Sequence, residues 1–166
     1  MRPDPRRRRL IVILVVCAFG AAAMVAANAD DIILYNPSPS MPVGFYVRSD
    51  APITIGAIVT VRARDVAEAY ALGRNFTDSG DRFIKRVVAT SSDHVCVVGS
   101  RIVLNGIVVA TRASVDTAGA ALPQWTECRP LAADEVFLMG ESDDSFDSRY
   151  WGPVPRSQIE GVWRPL

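Results

Sequence analysis

The sequence predicts a mainly β domain, a barrel or folded sheet with one short helix, behind an N-terminal transmembrane helix. Two observations support this fold class. Short runs rich in β-branched and aromatic residues recur along the chain and are separated by Gly, Pro, Asn and Asp. Outside the N-terminus, one stretch has both the composition and the end signals of a helix. With 166 residues, 49% of them hydrophobic, the chain can form one packed domain plus an appendage.

The N-terminal segment combines a cluster of arginines with a long apolar run. Arg2 and Arg6–Arg9 precede the run Leu10–Ala27. As a helix, this run is about 27 Å long, close to the hydrocarbon thickness of a bilayer. It is interpreted as a retained anchor. A cleaved signal peptide is the alternative, because Ala27 and Ala29 have the small-x-small spacing of a cleavage site.

Both interpretations export the rest of the chain, because positive charges are retained on the cytoplasmic side of a membrane. Residues 1–9 are then a basic cytoplasmic N-terminus, residues 10–29 a single transmembrane anchor or signal segment, and residues 30–166 an exported domain. The expected location is the inner membrane, with the domain on its periplasmic side. The formal net charge is zero, so no nucleic-acid partner is expected.

Within the exported part, turn residues separate the predicted elements. The helix is Arg64–Arg74, which Asp65 can cap and Gly73 can end. A strong hairpin signal is Asn105-Gly106 between two β-branched runs, typical of a type I′ turn. The segment Thr111–Leu131 is predicted to be an irregular surface excursion. The predicted strands and hairpin are Gly44–Arg48, Ala57–Ala63, Asp81–Thr90, Arg101–Thr111, Ala133–Gly140 and Ser157–Leu166.

The cysteines agree with export. Cys17 lies in the apolar run and is interpreted as a small hydrophobic residue. An oxidising compartment would let Cys96 and Cys128 form a disulfide, although two separate buried thiols are the alternative. The chain has one histidine, His94, and no second cysteine near either of these two. A zinc site is therefore not expected, nor is any other metal or cofactor.

The chain has a single lysine, Lys85, although it contains 18 Lys and Arg residues. Strand alternation puts Lys85 on one face with Phe83 and Val87. Burial there would lower the pKa of Lys85 and allow a neutral amine, which is a competent base, whereas arginine stays charged. The alternative is a lysine whose stem lies on apolar surface while its tip reaches water.

A proline-rich turn carries two candidate serines. The stretch "NPSPSMPVGFY" contains Pro37, Pro39 and Pro42, each of which fixes φ and so stiffens the turn. A nucleophilic serine needs a rigid position and a base to take its proton. Ser38 and Ser40 are in such a position, although an ordinary turn explains the same composition.

Three stretches together resemble a known family. "SPSMPVG", "RFIKRVV" and "MGESDDSFDSRYWGPV" occur in this order, and they resemble the type I signal peptidase superfamily of membrane-anchored Ser/Lys proteases. The box from Ser145 to Gly152 carries the most specific similarity. The pattern Pro-Val-Gly-Phe-Tyr after Met41 is similar to the conjugative-transfer peptidases of the TraF type. Glu141-Ser142 and "SSDHV" depart from general signal peptidases.

The resemblance implies roles for individual residues. Ser40 is the expected nucleophile and Lys85 the general base. Ser145 is expected to orient the lysine, and Ser38 to join the Ser40 N–H in the oxyanion hole. Asp147 and Arg149 are expected to brace the site as an ion pair with Ser148 between them, Met41 to help form the substrate cleft, and Cys128 to pair with Cys96.

The resemblance also implies a signal-peptidase-like fold and a function. The expected enzyme is a serine endopeptidase that processes an exported precursor, and in the TraF branch that precursor is a conjugative transfer pilin. The acyl-enzyme can be resolved by water or by an amine. Expected partners are the precursor, the membrane and conjugative secretion machinery. Two alternatives are a general or accessory signal peptidase that removes leader peptides, and a non-catalytic envelope scaffold.

Overall fold

A computed structural model describes residues 11–17, 31–74, 76 and 81–166. The chain divides into two compact units, Met1–Ile32 and Ile33–Leu166. Residues 11–17 are helical, and the other parts of the expected N-terminus and anchor, 1–9 and 10–29, lie outside the described residues. No helix within the described ranges is long and apolar enough to cross a membrane.

The second unit is built mainly from short strands, as the sequence predicts. Its two helices are α1 (Ala63–Gly73) and α2 (Ser148–Trp151), and a 3-10 turn covers Arg156–Gln158. The strands are β1 (Ile33–Asn36), β2 (Gly44–Ser49), β3 (Ile58–Arg62), β4 (Arg82–Ala89), β5 (His94–Val98), β6 (Arg101–Leu104), β7 (Ile107–Thr111), β8 (Cys128–Pro130), β9 (Glu135–Met139), β10 (Val154–Pro155) and β11 (Ile159–Pro165).

The larger sheet has seven antiparallel strands in the order β1-β2-β11-β3-β4-β9-β10. The last strand, β11, pairs with both β2 and β3 and so joins the N-terminal hairpin to the centre. Bulges interrupt β11 and β4, and bulges bend a strand and increase its twist. The two edge strands are not paired with each other in the described part of the chain, so the sheet is folded and open.

The smaller sheet has four antiparallel strands in the order β7-β6-β5-β8. The predicted hairpin is confirmed: Asn105 and Gly106, between β6 and β7, have φ values of 51° and 83°, as a type I′ turn requires. In the excursion, the sequence analysis missed β8 at its C-terminal end. β8 has three residues and pairs only with β5 among the described strands, so its order depends on pairing rather than on a local pattern.

Both faces of the larger sheet carry a cluster of buried side chains. One face carries a cluster that includes Val59, Val61, Val87 and Leu138. The other face carries Met41, Tyr46, Ile58, Ile84 and Trp163. Residues next to each other in β3 and β4 therefore belong to opposite clusters, as strand alternation requires.

The helices differ from the prediction in two ways. The cap residue of α1 is Arg62, which makes no side-chain capping bond, so the predicted cap Asp65 lies inside the first turn. Gly73 is the last helical residue, as predicted. Where one helix was expected, α2 is a second one: it is a single turn whose first N–H groups are satisfied by Asp147, the side chain of which accepts from the Arg149 N–H.

Candidate active site

The turn between β1 and β2 is organised by Asn36, which ends β1 and is buried. Its side-chain amide donates to the backbone oxygens of Ser38, Met41 and Pro42 at 2.9, 3.1 and 3.1 Å, and its Oδ1 accepts from the Ser38 N–H at 3.1 Å. The sequence analysis missed this role. The signal was present, since Asn before Pro favours turn initiation and Asn side chains bond to the backbone two residues on.

The two serines of this turn lie side by side. The Ser38 hydroxyl is 3.1 Å from Ser40 Oγ and also accepts from the Ser40 N–H at 3.3 Å. On the other side, the Ser40 carbonyl oxygen accepts from the Glu141 N–H at 2.7 Å. The backbone of Ser40 is therefore held from both sides, while its hydroxyl remains partly accessible in the cleft.

The lysine is buried and contacts the serine directly. Lys85 Nζ donates to Ser40 Oγ at 2.9 Å, and the residue is 3% exposed. In the sheet register Lys85 lies opposite Val59, and its Nζ is 5.9 Å from the centre of the Phe83 ring. Burial lowers the pKa of Lys85 from 10.5 to about 8; the charge of Asp147 opposes this shift and that of Arg149 favours it.

Ser145, expected to orient the lysine, lines the same cleft as Lys85. The residue is 2% exposed, and its Oγ has no hydrogen-bond partner among the described residues. It lies close to Gly140, where an added Cβ would be 2.1 Å from Ser145 Oγ and 2.7 Å from the Ser40 carbonyl oxygen. Only glycine leaves room for both groups, and the sequence analysis did not single out this glycine.

The box that follows Ser145 forms a buried ionic unit. The side chains of Asp147 and Arg149 make two hydrogen bonds with each other, at 2.7 and 2.8 Å, and both residues are fully buried or nearly so. Asp147 also accepts from the Gly140 N–H at 2.8 Å, and Arg149 donates to the backbone oxygens of Ser142 and Asp143. This unit therefore fixes the turn that faces Ser40.

Ser148, which lies between Asp147 and Arg149, makes a hydrogen bond to the larger sheet. Ser148 is fully buried, and its Oγ accepts from the Leu138 N–H at 3.0 Å. The bond ties α2 to β9. Ser148 therefore supports the site through β9. None of the hydrogen bonds among the described residues joins Ser148 to the Asp147 carboxylate.

A cleft of about 430 Å³ joins these groups. Its lining includes Ser38, Ser40, Lys85, Ser145 and Phe146. Met41, expected in the cleft, is instead wholly buried in the cluster that contains Tyr46, Ile58, Ile84 and Trp163. The correction has a simple cause, because strand and turn geometry point Met41 to the opposite side of the chain from Ser40.

The cysteines are paired. Cys96 and Cys128 form a disulfide between directly opposite residues of β5 and β8. Among the described residues, the one group with metal-ligand spacing is His94 with these two cysteines. Because both sulfurs are in the disulfide, neither is the thiolate that a metal requires.

Comparison with known proteins shows what this chain is similar to. The family "Signal peptidase, peptidase S26" matches residues 6–165. Two proteins of Escherichia coli, each described as "Plasmid transfer protein TraF", are 34% and 37% identical to this chain. The first match covers 89% of this chain and 90% of its own length, and the second 79% and 80%. A signal peptidase I from Enterococcus faecalis of known structure has a TM-score of 0.42 at 19% identity, over 69% of this chain and 98% of its own.

The match extends over nearly the whole chain, from the basic N-terminus to the last strand. It includes the serine turn, the lysine strand and the box around α2. The chain belongs to the signal peptidase family S26, whose members are serine peptidases.

Proposed function

We propose that this protein is a membrane-anchored serine endopeptidase that cleaves an exported precursor through a Ser40 acyl-enzyme, with Lys85 as general base. The observation that carries the proposal is the 2.9 Å contact between Lys85 Nζ and Ser40 Oγ inside a cleft, made by a lysine that is 3% exposed. A nucleophile and its base must be within hydrogen-bond reach. A buried amine with a lowered pKa can be neutral near physiological pH.

In the first chemical step, the donor and the acceptor of the hydrogen bond between Lys85 Nζ and Ser40 Oγ exchange roles. When Lys85 is neutral, the Ser40 hydroxyl donates to the Nζ lone pair at the same separation. As Oγ attacks the scissile carbonyl carbon, the proton passes to Lys85. When the peptide C–N bond breaks, Lys85 returns this proton to the leaving amine, and an ester joins the substrate to Ser40. Lys85 then takes a proton from the water or amine that attacks the ester, and it returns this proton to Ser40 Oγ as the ester bond breaks, which restores the free enzyme.

The oxyanion that forms in this step needs donors. Ser38 Oγ and the Ser40 N–H lie next to the attacking oxygen. In the resting state the N–H donates to Ser38 Oγ, and the arriving carbonyl oxygen would replace this weak contact and receive both donors. Such donors contribute most when charge develops on the oxygen.

Ser145 and the Asp147–Arg149 pair are placed to act on Lys85. Ser145 Oγ lies in the cleft with no partner among the described residues, so its hydroxyl is available to bond with Lys85 Nζ. Asp147 and Arg149 lie close enough to affect the pKa of Lys85 in opposite directions. Their paired charges therefore support the site without imposing a large net field on the base.

The substrate class rests on the relatives. Both Escherichia coli relatives are described as plasmid transfer proteins, which favours a conjugative transfer pilin over general leader peptides. The apolar, arginine-flanked N-terminus favours a single anchor in the inner membrane with the peptidase on the periplasmic side.

The test is mass spectrometry of the candidate pilin in cells that carry variants of this protein. Ser40→Ala, Lys85→Ala and Lys85→Arg should each leave the pilin unprocessed, because nucleophile and base act as a unit and arginine cannot be neutral. Ser157→Ala, at an exposed serine of the 3-10 turn, is the matched control and should process normally.

The other outcomes separate the alternatives. Normal pilin with accumulated leader-bearing precursors in the Ser40→Ala strain would identify a general signal peptidase. An active Lys85→Arg variant would disprove the dyad. If the Ser40→Ala strain processes every candidate precursor normally, and only deletion of the protein causes a processing defect, the protein is a scaffold.

A further inference from the structure

A second cavity of about 190 Å³ lies beside the catalytic cleft. Helix α1 contributes Tyr70, the excursion contributes Val115 and Leu122, and the segment before α2 contributes Asp144 and Phe146. Tyr70, Asp144 and Phe146 line both cavities. We call this cavity the second compartment; because it shares a wall with the cleft, a substrate chain in the cleft can place one side chain in it.

The part of the excursion before β8, residues 112–127, is attached to the box that contains α2. The Tyr150 hydroxyl accepts from the Ala113 N–H at 3.2 Å, and the Tyr150 carbonyl accepts from the Trp125 N–H at 3.1 Å. Arg112 donates to the carbonyl oxygens of Arg149, at 3.0 Å, and Trp125. The wall of the second compartment is thus fixed to the same α2 segment that supports Lys85 and Ser40.

One part of the lining of the second compartment is aromatic and aliphatic, and the rest is polar or charged. Tyr70 and Phe146 are stacked with ring centres 3.6 Å apart, and Phe146 and Tyr150 are stacked at 5.4 Å. Val115 and Leu122 face them from the excursion. Such walls accept the methylene stem of a long side chain, because the stem loses contact with water there.

The charges of the second compartment leave one carboxylate without a partner. Arg74 and Asp116 form an ion pair, and Asp116 also accepts from the N–H groups of Ala118 and Ala120. Asp144 lies at the boundary with the cleft and makes no hydrogen bond or ion pair with any described residue. The unbalanced charge of the second compartment is therefore negative.

We propose that the second compartment binds a lysine or arginine side chain of the precursor, with the stem on the aromatic wall and the cationic head at the Asp144 carboxylate. This inference deepens the proposed function and relies on it for the identity of the ligand as part of a substrate. Carboxylates and aromatic rings together are the groups that bind organic cations most favourably. Because the wall is shared with the cleft, a bound side chain fixes which peptide bond reaches Ser40.

The first experiment measures binding alone. Nα-acetyl-lysine methylamide and the neutral Nα-acetyl-norleucine methylamide are titrated into the purified full chain, with backbone amide NMR shifts at Thr117 and Phe146 as the readout. The acetyl group removes the α-amine as a source of charge. The lysine probe should bind about fivefold more tightly than the norleucine probe, the effect of one partly exposed ion pair.

Two matched variants identify the carboxylate that causes the tighter binding of the lysine probe. Asp144→Asn should abolish it, whereas Asp143→Asn should retain it, since Asp143 is adjacent in sequence but does not line the second compartment. Equal affinity of the two probes for the natural chain, or an undiminished preference in Asp144→Asn, overturns the proposal.

The second experiment measures discrimination in catalysis. Acetylated neutral peptides cleaved by the natural chain receive lysine, norleucine or glutamate at successive positions beside the scissile bond. At one position lysine should raise kcat/KM about fivefold over norleucine. The ratio should fall to about one in Asp144→Asn, reverse in favour of glutamate in Asp144→Lys, and stay unchanged in Asp143→Asn.

The two experiments separate this inference from the proposed function. Probe discrimination without cleavage of any peptide supports the cation site and contradicts the peptidase. Cleavage with the same kcat/KM for lysine and norleucine at every position supports the peptidase and overturns the cation site.

Discussion

At the residue scale, the site depends on keeping one amine out of water. A lysine with three donor N–H groups loses much of its solvation when it is 3% exposed. Lys85 makes one hydrogen bond with a described residue, to Ser40. Too few partners among the described residues are present to compensate the ammonium, so burial lowers the pKa and raises the fraction of neutral amine, the form that can accept the Ser40 proton.

The pH dependence of the rate follows from this. Burial lowers the pKa of Lys85 to about 8, and the active form is the unprotonated one, so activity should rise as pH rises through 8. Single-turnover cleavage of a pilin peptide should be about tenfold faster at pH 9 than at pH 7 and then level off. A rate that is flat across this range while chemistry is limiting would contradict a titrating base.

Ser38 gives the second prediction at this scale. Its hydroxyl lies 3.1 Å from Ser40 Oγ, where it can donate to the oxyanion but meets no charge in the ground state. Ser38→Ala should therefore slow the single-turnover rate by about 10²-fold or more with little change in substrate binding. Ser38→Thr keeps a hydroxyl and should keep most of the rate. A wild-type rate in Ser38→Ala would place the second donor elsewhere.

Residue identity in the site was easier to predict than residue contacts. Ser40 and Lys85 could be named because the chain has one lysine and one rigid serine turn, and because the stretches that contain them resemble the signal peptidase family. Gly140 does not stand out, because its role depends on a backbone group distant in sequence, the Ser40 carbonyl oxygen. Asn36 was missed although its partners are local and its turn signal was present. Met41 was misplaced because sequence adjacency to Ser40 says nothing about which side of the turn a residue faces.

At the scale of elements, the segment between β9 and α2 sets the position of the nucleophile. The Glu141 N–H holds the Ser40 carbonyl oxygen at 2.7 Å, and the Gly140 N–H donates to Asp147 at 2.8 Å. The serine turn and the box thus meet through backbone bonds. Movement of this segment by a few tenths of an ångström would displace both Ser40 and Ser145.

Gly140→Ala tests this close packing. The new Cβ would be 2.7 Å from the Ser40 carbonyl oxygen, so the backbone must shift. Overpacking should cost about 1–3 kcal/mol of unfolding free energy, and misplacement of Ser40 should lower the single-turnover rate about 10²-fold. Gly73→Ala is the control, because a Cβ there meets nothing within 4 Å. Full activity in Gly140→Ala would show that the segment yields without cost.

Elements with a local cause were predictable. The hairpin at Asn105-Gly106 follows from two residues that tolerate positive φ. The strand containing Lys85 follows from its β-branched composition. In contrast, β8 and α2 are three and four residues long. β8 is ordered by its pairing with β5, and α2 is a single turn capped by Asp147, so neither is long enough to show a periodic pattern in the sequence.

At the scale of the whole molecule, the larger sheet carries the serine turn and the lysine, whereas the smaller sheet anchors the excursion. The excursion leaves the smaller sheet after β7 and returns to it at β8. Between these points it forms the wall of the second compartment. Under the proposed function, the smaller sheet thus contributes to substrate selection and the larger sheet carries the pair Ser40 and Lys85.

The disulfide is expected to hold this arrangement together. Cys96 and Cys128 are separated by 32 residues, and closing a loop of this length restricts the unfolded chain by about 3–4 kcal/mol. The strand that the bond secures, β8, has only β5 as a described partner, so it has few other contacts to order it. A double Cys96→Ser and Cys128→Ser variant should therefore lose about this much unfolding free energy in urea, compared in a Cys17→Ser background.

The excursion should also unfold more readily than the larger sheet in this variant. Hydrogen exchange at Val115 and Leu122 should therefore rise, while that at Val59 and Val87 stays slow under native conditions. An unchanged urea midpoint, or equal loss of protection in both sheets, would contradict a disulfide that acts on the excursion.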